Sequence, residues 1–239
     1  MFDEWGKEDD QWRPDEPKAW KITKKAIGIA FSTFVFVFIG FLVLRVILSD
    51  PPSKMEKPVW DDRLFASYTE AQGNGTGLEM LQIPTSDAFS EDGMFSLYTV
   101  TYTPAAKQLQ FTVRYNNRVL NYLLQDYPDA QSVIDADGEV YVFSLTVRKD
   151  GKEETLTAYS YVGQERFGYT FRRIIFNDID LEGVSIVTVN AAYVGKPSAI
   201  RHTMTAYNYA VHKTVYDLPI FSYSKPQGVT DGIKNGADS

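Results

Sequence analysis

The chain has 239 residues, 44% of them hydrophobic and 14% aromatic, with no cysteine and a formal net charge of −7. Without thiols there are no disulfides and no thiol nucleophile, which excludes thiol-dependent wall transpeptidation and points to a bacterial envelope lacking an oxidising periplasm. Seventeen basic and 24 acidic residues follow position 48, a balance that argues against nucleic acid and against bulk attraction to anionic headgroups.

Residues 1–25 form a polar, acidic-aromatic tail in which Pro14 and Pro17 discourage a continuous helix. Three of the four tryptophans, Trp5, Trp12 and Trp20, lie here. Trp20 borders the apolar run that follows and fits an interfacial anchor. Trp5 and Trp12 are candidates for docking a cytoplasmic protein, because tryptophan is costly to expose and enriched at binding hot spots. The competing assignment lays both against lipid headgroups.

Ala26 to Leu48 is an uninterrupted apolar stretch of 23 residues broken only by Ser32, Thr33 and Arg45. As a helix it measures roughly 34 Å, enough to cross a hydrocarbon core of about 30 Å. The long acidic leader, the length of the apolar run and the absence of an A-x-A-like site predict an uncleaved signal anchor rather than a signal peptide. Six lysines and arginines precede the span, while Lys54, Lys57 and Arg63 are the nearest that follow it. That bias places the N-terminus in the cytoplasm and the C-terminal part outside. Arg45, one turn from the outer end, is placed to lift its guanidinium to the headgroups; the alternative pairs it with an acid on a partner helix. Gly28 and Gly40 do not form a GxxxG pair, so no dimer motif is read in the span.

Residues 49–60 (with Pro51, Pro52 and Pro58) read as an extended, semi-rigid spacer. Over residues 61–222 the pattern changes to alternation among β-branched and aromatic residues, which predicts strands. Expected strands are Leu64–Tyr68, Leu78–Ile83, Met94–Tyr102, Gln108–Tyr115, Glu139–Arg148, Glu154–Val162, Phe167–Phe176, Val184–Tyr193 and Thr203–Tyr216. Asp150-Gly151 is a favoured pair for a two-residue hairpin turn. Helical spacing of Val119, Leu120, Leu123, Leu124 and Tyr127 before Pro128 predicts one short helix over Asn117–Tyr127. The fold class expected is therefore mainly β: a membrane helix followed by an extracytoplasmic antiparallel β-sandwich, immunoglobulin-like or jelly-roll, with one short helix. Residues 223–239 read as a disordered tail.

Enzymatic signatures are weak, and the chain is not expected to be an enzyme. His202 and His212 are the only histidines, without metal-ligand spacing or a GxSxG elbow. Asp178-Ile179-Asp180-Leu181-Glu182-Gly183 opens like a calcium loop, but Val189 stands where the closing glutamate belongs. A corner tucking Ile179 and Leu181 inward is the preferred assignment. Gly73-Asn74-Gly75-Thr76-Gly77 lacks the flanking strand, helix and Lys-Ser/Thr of a phosphate loop. No cofactor or metal site is expected. A hydrolase using Asp61, Asp62 or Glu139 is the third-ranked reading.

Aromatics supply the candidate surface: Tyr159, Tyr161, Tyr169, Tyr193, Tyr207 and Tyr209 gather in the later strands with Arg172, whose neighbour Arg173 points to the opposite face. The leading expectation is a single-pass binding or assembly module at the cell membrane whose partner is an envelope protein or a wall glycan. The alternative is a transmembrane regulatory subunit that reaches a cytoplasmic partner through the tryptophan-bearing tail.

Overall fold

The computed structural model describes residues 18–48, 50–84, 89–117, 125, 126, 128, 139–194, 201–212, 220–223 and 233–236. Trp5, Trp12 and most of the helix expected over Asn117–Tyr127 lie outside these residues. The described chain divides into two units, an N-terminal helix and a β-rich body that begins at Leu48.

The helix, α1 (Lys18–Leu48), has 31 residues and is long and apolar enough to cross a membrane. Its apolar side chains point outward all round, from Ile27 through Phe36 to Val46. The Thr33 hydroxyl donates to the Ile29 carbonyl at 2.9 Å, so this polar group is satisfied within the helix itself. Lys24 lies 5.3 Å from the Trp20 ring centre.

The body contains two antiparallel sheets. The larger joins β1 (Leu78–Ile83), β2 (Phe95–Thr103), β3 (Gln108–Asn116), β6 (Ser160–Arg166), β7 (Tyr169–Phe176), β10 (Ile220–Tyr223) and β11 (Lys234–Asn235) in the order β10-β1-β2-β3-β7-β6-β11. The smaller has the order β5-β4-β8-β9, from β4 (Tyr141–Lys149), β5 (Lys152–Leu156), β8 (Val184–Tyr193) and β9 (Arg201–Asn208). One core takes side chains from both: Leu109, Phe111, Val113 and Phe176 from the larger sheet, Phe143, Leu145, Val187 and Val189 from the smaller. Burying each large side chain contributes about 1.5–3 kcal/mol, which lets a cysteine-free body hold together.

Turn chemistry sets the hairpins. Asp150 and Gly151 both have positive φ, closing β4–β5 with Lys149 opposite Lys152. Phe167 and Gly168 do the same between β6 and β7, so the strand expected from Phe167 begins two residues later. The corner at 178–183 behaves as its sequence predicts: Ile179 and Leu181 are buried, Tyr102 donates to the Ile179 carbonyl at 3.2 Å, and Asp178 pairs with Arg63 at 2.8 Å.

Five expectations are corrected. Leu64–Tyr68 is not a strand; it lies in α3 (Asp62–Gly73), a helix capped by Asp61, whose Oδ1 accepts from the Leu64 amide at 2.8 Å. Short apolar runs fit strand and helix alike, and the aspartate cap decides here. The 49–60 segment is not an extended spacer. It contains a helical turn, α2 (Ser53–Glu56), and buries Met55, Val59 and Trp60 against the body. The expected strand Glu154–Val162 is broken at residues 157–159, and β5 and β6 join different sheets. Finally, β9 ends at Asn208 and passes into α4 (Tyr209–His212), while the tail expected to be disordered contributes β11 to the larger sheet.

Candidate functional site

Three polar constellations stand out from the core. The first lies on the outer face of the larger sheet, where β3 turns Gln108, Gln110 and Thr112 away from the apolar core. These residues are nevertheless buried, as is Arg173 on β7, because the strap formed by residues 52–61 covers them. Gln110 holds the strap as a neighbouring strand would. Its Oε1 accepts from the Val59 amide and its Nε2 donates to the Val59 carbonyl, both at 2.8 Å. The Thr112 hydroxyl donates to the Met55 carbonyl, and Gln108 Nε2 donates to Asp61 Oδ2 at 2.7 Å. Beneath them Arg173 donates to the Thr99 carbonyl and, at 2.6 Å, to the Thr101 hydroxyl. Thr99 has φ of +43° in a bulge where the β2–β3 register slips, and that bulge turns its carbonyl toward the guanidinium. Trp60, Leu64, Leu78, Met80 and Ala106 form a second apolar cluster alongside.

The second constellation is an ion pair on the opposite face of β7. Arg172 Nε lies 3.3 Å from Glu139 Oε1, and both side chains are almost wholly buried. The Tyr161 hydroxyl is hydrogen-bonded to Glu139, while the Arg172 guanidinium lies 5.7 Å from the Tyr161 ring centre. Burial first, and the Glu139 carboxylate after it, push the Tyr161 phenol well above its ordinary value.

The third joins the 89–94 loop to β9. Asp92 Oδ2 lies 2.6 Å from His202 Nδ1, and Asp92 Oδ1 accepts from the Ser90 hydroxyl at 2.6 Å and the Met94 amide at 3.0 Å. Burial alone would raise Asp92, but the hydrogen bonds from Ser90 and Met94 and the His202 ring outweigh it and hold the carboxyl below its ordinary 3.8. Serine, aspartate and histidine are all present, yet the order of contacts is wrong for nucleophilic catalysis. Ser90 bonds the carboxylate rather than the imidazole, and the buried His202 ring lies tilted against Phe95 with ring centres 4.6 Å apart. A triad requires the base to contact the nucleophile. The group fastens a loop to the smaller sheet.

The candidate tyrosines divide sharply. Tyr159, Tyr161, Tyr193 and Tyr207 are buried, so they do not form an exposed surface; their rings were needed in the core. Tyr209 is exposed at the start of α4, and Arg172 is taken by Glu139. Tyr169 is half-buried on the outer face of the larger sheet, and there it has company that the sequence did not reveal. Arg114 lies 5.0 Å from the Tyr169 ring centre and 5.4 Å from that of Tyr98, and it donates to the Ser96 hydroxyl at 3.0 Å. Tyr98, Arg114 and Tyr169 sit on three adjacent strands, β2, β3 and β7, all half-buried on one face. The alternation of β3 could have placed Arg114 outside, but only strand pairing brings the two rings to it. A guanidinium flanked by aromatic rings offers stacking faces and directional donors together.

The carboxylates named for hydrolysis are committed elsewhere. Asp61 caps α3 and binds Gln108, Asp62 opens the same helix, and Glu139 pairs with Arg172. Among the described residues no group of three or more histidine, aspartate or glutamate side chains is placed to hold a metal ion. Trp20 and Arg45 both lie on α1, with Trp20 exposed.

The buried tyrosines make the body sensitive to alkali. Burial pushes Tyr159 up to about 12, and pushes Tyr115 and Tyr141 higher still. Above pH 10 the unfolded chain loses phenolic protons that the folded body retains, so stability falls as pH rises. Each of the three groups contributes a slope on the order of 1 kcal/mol per pH unit. Denaturation midpoints measured from pH 9 to pH 11.5 should fall steeply above pH 10, and Tyr141→Phe should flatten the curve.

Comparison with protein-family models, with curated proteins and with solved structures found no match.

Proposed function

We propose that the chain is a single-pass membrane protein carrying an extracytoplasmic β-sandwich, and that the sandwich binds an envelope protein or a wall glycan. The observation that supports this reading best is the half-exposed Tyr98–Arg114–Tyr169 stack on the outer face of the larger sheet. Rings and guanidinium in one patch suit a ligand with a flat apolar side and acceptor oxygens, which describes sugar rings and acidic loops alike. The strap adds to the argument. Residues 52–61 pack over the same outer face of the larger sheet that carries the patch, which holds that face in one shape.

A photocrosslinker at Tyr98 in native membranes tests the reading, with the same probe at exposed Lys152 on β5 as the comparison. A defined adduct at Tyr98 that disappears with Arg114→Ala is the expected result. Identical products from both positions, or none from Tyr98, count against the patch. Removing residues 1–17 should leave the adduct intact; its loss would favour the regulatory subunit, in which the cytoplasmic tail governs the outer body. Protease added to intact cells should digest the body and spare the tail.

A further inference from the structure

The outer face of the larger sheet carries charge of one sign. Along β2, β3, β7 and β6, every side chain that alternation turns to this face is uncharged or basic, although the chain has a net charge of −7. Arg173 is buried beneath the strap, and Arg114 and Arg166 are the cations toward the other end. Arg166 stands opposite Tyr169 in the β6–β7 register, while Glu165 is turned to the inner side opposite Thr170. Cross-strand neighbours have β-carbons about 5 Å apart. Arg166 therefore flanks from β6 the same ring that Arg114 approaches from β3.

The hairpin tip beside this pair is strained. Phe167 has φ of +50° and is 59% exposed, and Gly168 follows at +80°. Such a turn favours asparagine before glycine, and a bulky residue with positive φ is a conformational outlier. Phe167 gains no place in the core in return. Strain of this kind gathers where a ligand is held. The tip is also anchored, because the Asn117 amide donates to the Gly168 carbonyl at 2.8 Å.

Size separates the two kinds of ligand. Three inter-strand steps from β2 to β6 span about 14 Å, and Thr112 to Asn116 covers about 14 Å along β3. The face beyond the strap is thus about 200 Å². A stable protein interface takes about 800 Å² from each partner, whereas a short run of sugar rings fits the space.

We propose that this end of the sheet binds an acidic glycan. Its sugar faces lie on Tyr98, Tyr169 and the tip residue Phe167, and its acidic groups reach Arg114 and Arg166. This rests on the ligand patch proposed above and assigns that patch its ligand class.

The test uses the full-length chain in detergent and three fluorescent probes: an oligogalacturonate, its neutral methyl ester, and polyglutamate of equal charge. The oligogalacturonate should bind at least tenfold more tightly than either of the others. Arg166→Gln and Phe167→Asn should each weaken it at least fivefold. Asparagine suits the turn better than phenylalanine, so Phe167→Asn should melt no lower than the parent, and its lost affinity then belongs to the ligand and not to the fold. Polyglutamate bound equally well, the ester bound equally well, no binding of the oligogalacturonate, or an affinity indifferent to Phe167→Asn would each overturn the proposal. In any of these cases, an Arg114-dependent adduct from the Tyr98 photocrosslinker leaves the patch standing with a different ligand. Loss of both results removes the patch as well.

Discussion

Replacing Arg172 with methionine is expected to lower the stability of the body by about 3–5 kcal/mol, because it leaves the Glu139 carboxylate buried without its cation. Methionine fills much of the same volume, so the loss measures the stranded charge more than a cavity. The control is the double variant Glu139→Gln/Arg172→Met, which removes both charges and should recover most of the deficit. Neighbouring sites do not add simply, and the size of the recovery is itself the coupling energy. Urea unfolding of the full chain in detergent, followed by far-UV circular dichroism, supplies both numbers. If the single substitution costs less than 1 kcal/mol, Glu139 is not held mainly by Arg172 and the account of this ion pair fails.

The second large effect is expected at Gln110. Substitution by leucine keeps the bulk but leaves the Val59 amide and carbonyl facing an apolar surface, and takes an acceptor from Arg173. A buried polar group stripped of its partner costs about 1–3 kcal/mol, and two backbone groups are affected together, so a loss of about 2–4 kcal/mol is expected. The strap should lift before the sheets unfold. Trp60 reports this, being the only tryptophan in the body and buried beside Leu64. In a Trp5→Phe/Trp12→Phe/Trp20→Phe background, its emission should shift to the red in Gln110→Leu at denaturant concentrations where circular dichroism is unchanged. A single coincident transition in both signals would mean that strap and sheets are one cooperative unit, with Gln110 no special fastener.

The sheets were legible wherever alternation was strong and turn chemistry marked the ends. Leu78–Ile83 and Val184–Tyr193 are found as read, and the Asp150-Gly151 turn closes the hairpin expected of it. Legibility failed where a long-range partner decides the outcome. Leu64–Tyr68 has too few residues for its period to be diagnostic, and Asp61 commits it to a helix whose buried residue Leu64 rests on the outer face of a sheet. The tyrosines illustrate the same limit. A phenol suits a core and a binding surface equally well, so the sequence could group Tyr159, Tyr161, Tyr193 and Tyr207 without showing that all four face inward. Tyr98 and Arg114, 16 positions apart, meet only after the Thr99 bulge has set the β2–β3 register. Arg173 was assigned to the face opposite Arg172, yet nothing near it in the chain shows that residues 52–61 would return to cover it.

That covering has a consequence for biogenesis. Met55 and Val59 grip side chains more than 50 positions downstream, and Arg63 reaches Asp178, 115 positions away. On a growing chain, the first stretch of the body to emerge is thus left waiting for partners that translation has yet to deliver, with Trp60 uncovered in the meantime. Docking of so remote a contact cannot precede its sheet. Maturation should therefore run from the distal strands back to the strap, and truncation within β7 should leave residues 52–61 open to proteolysis even where the earlier hairpin has formed.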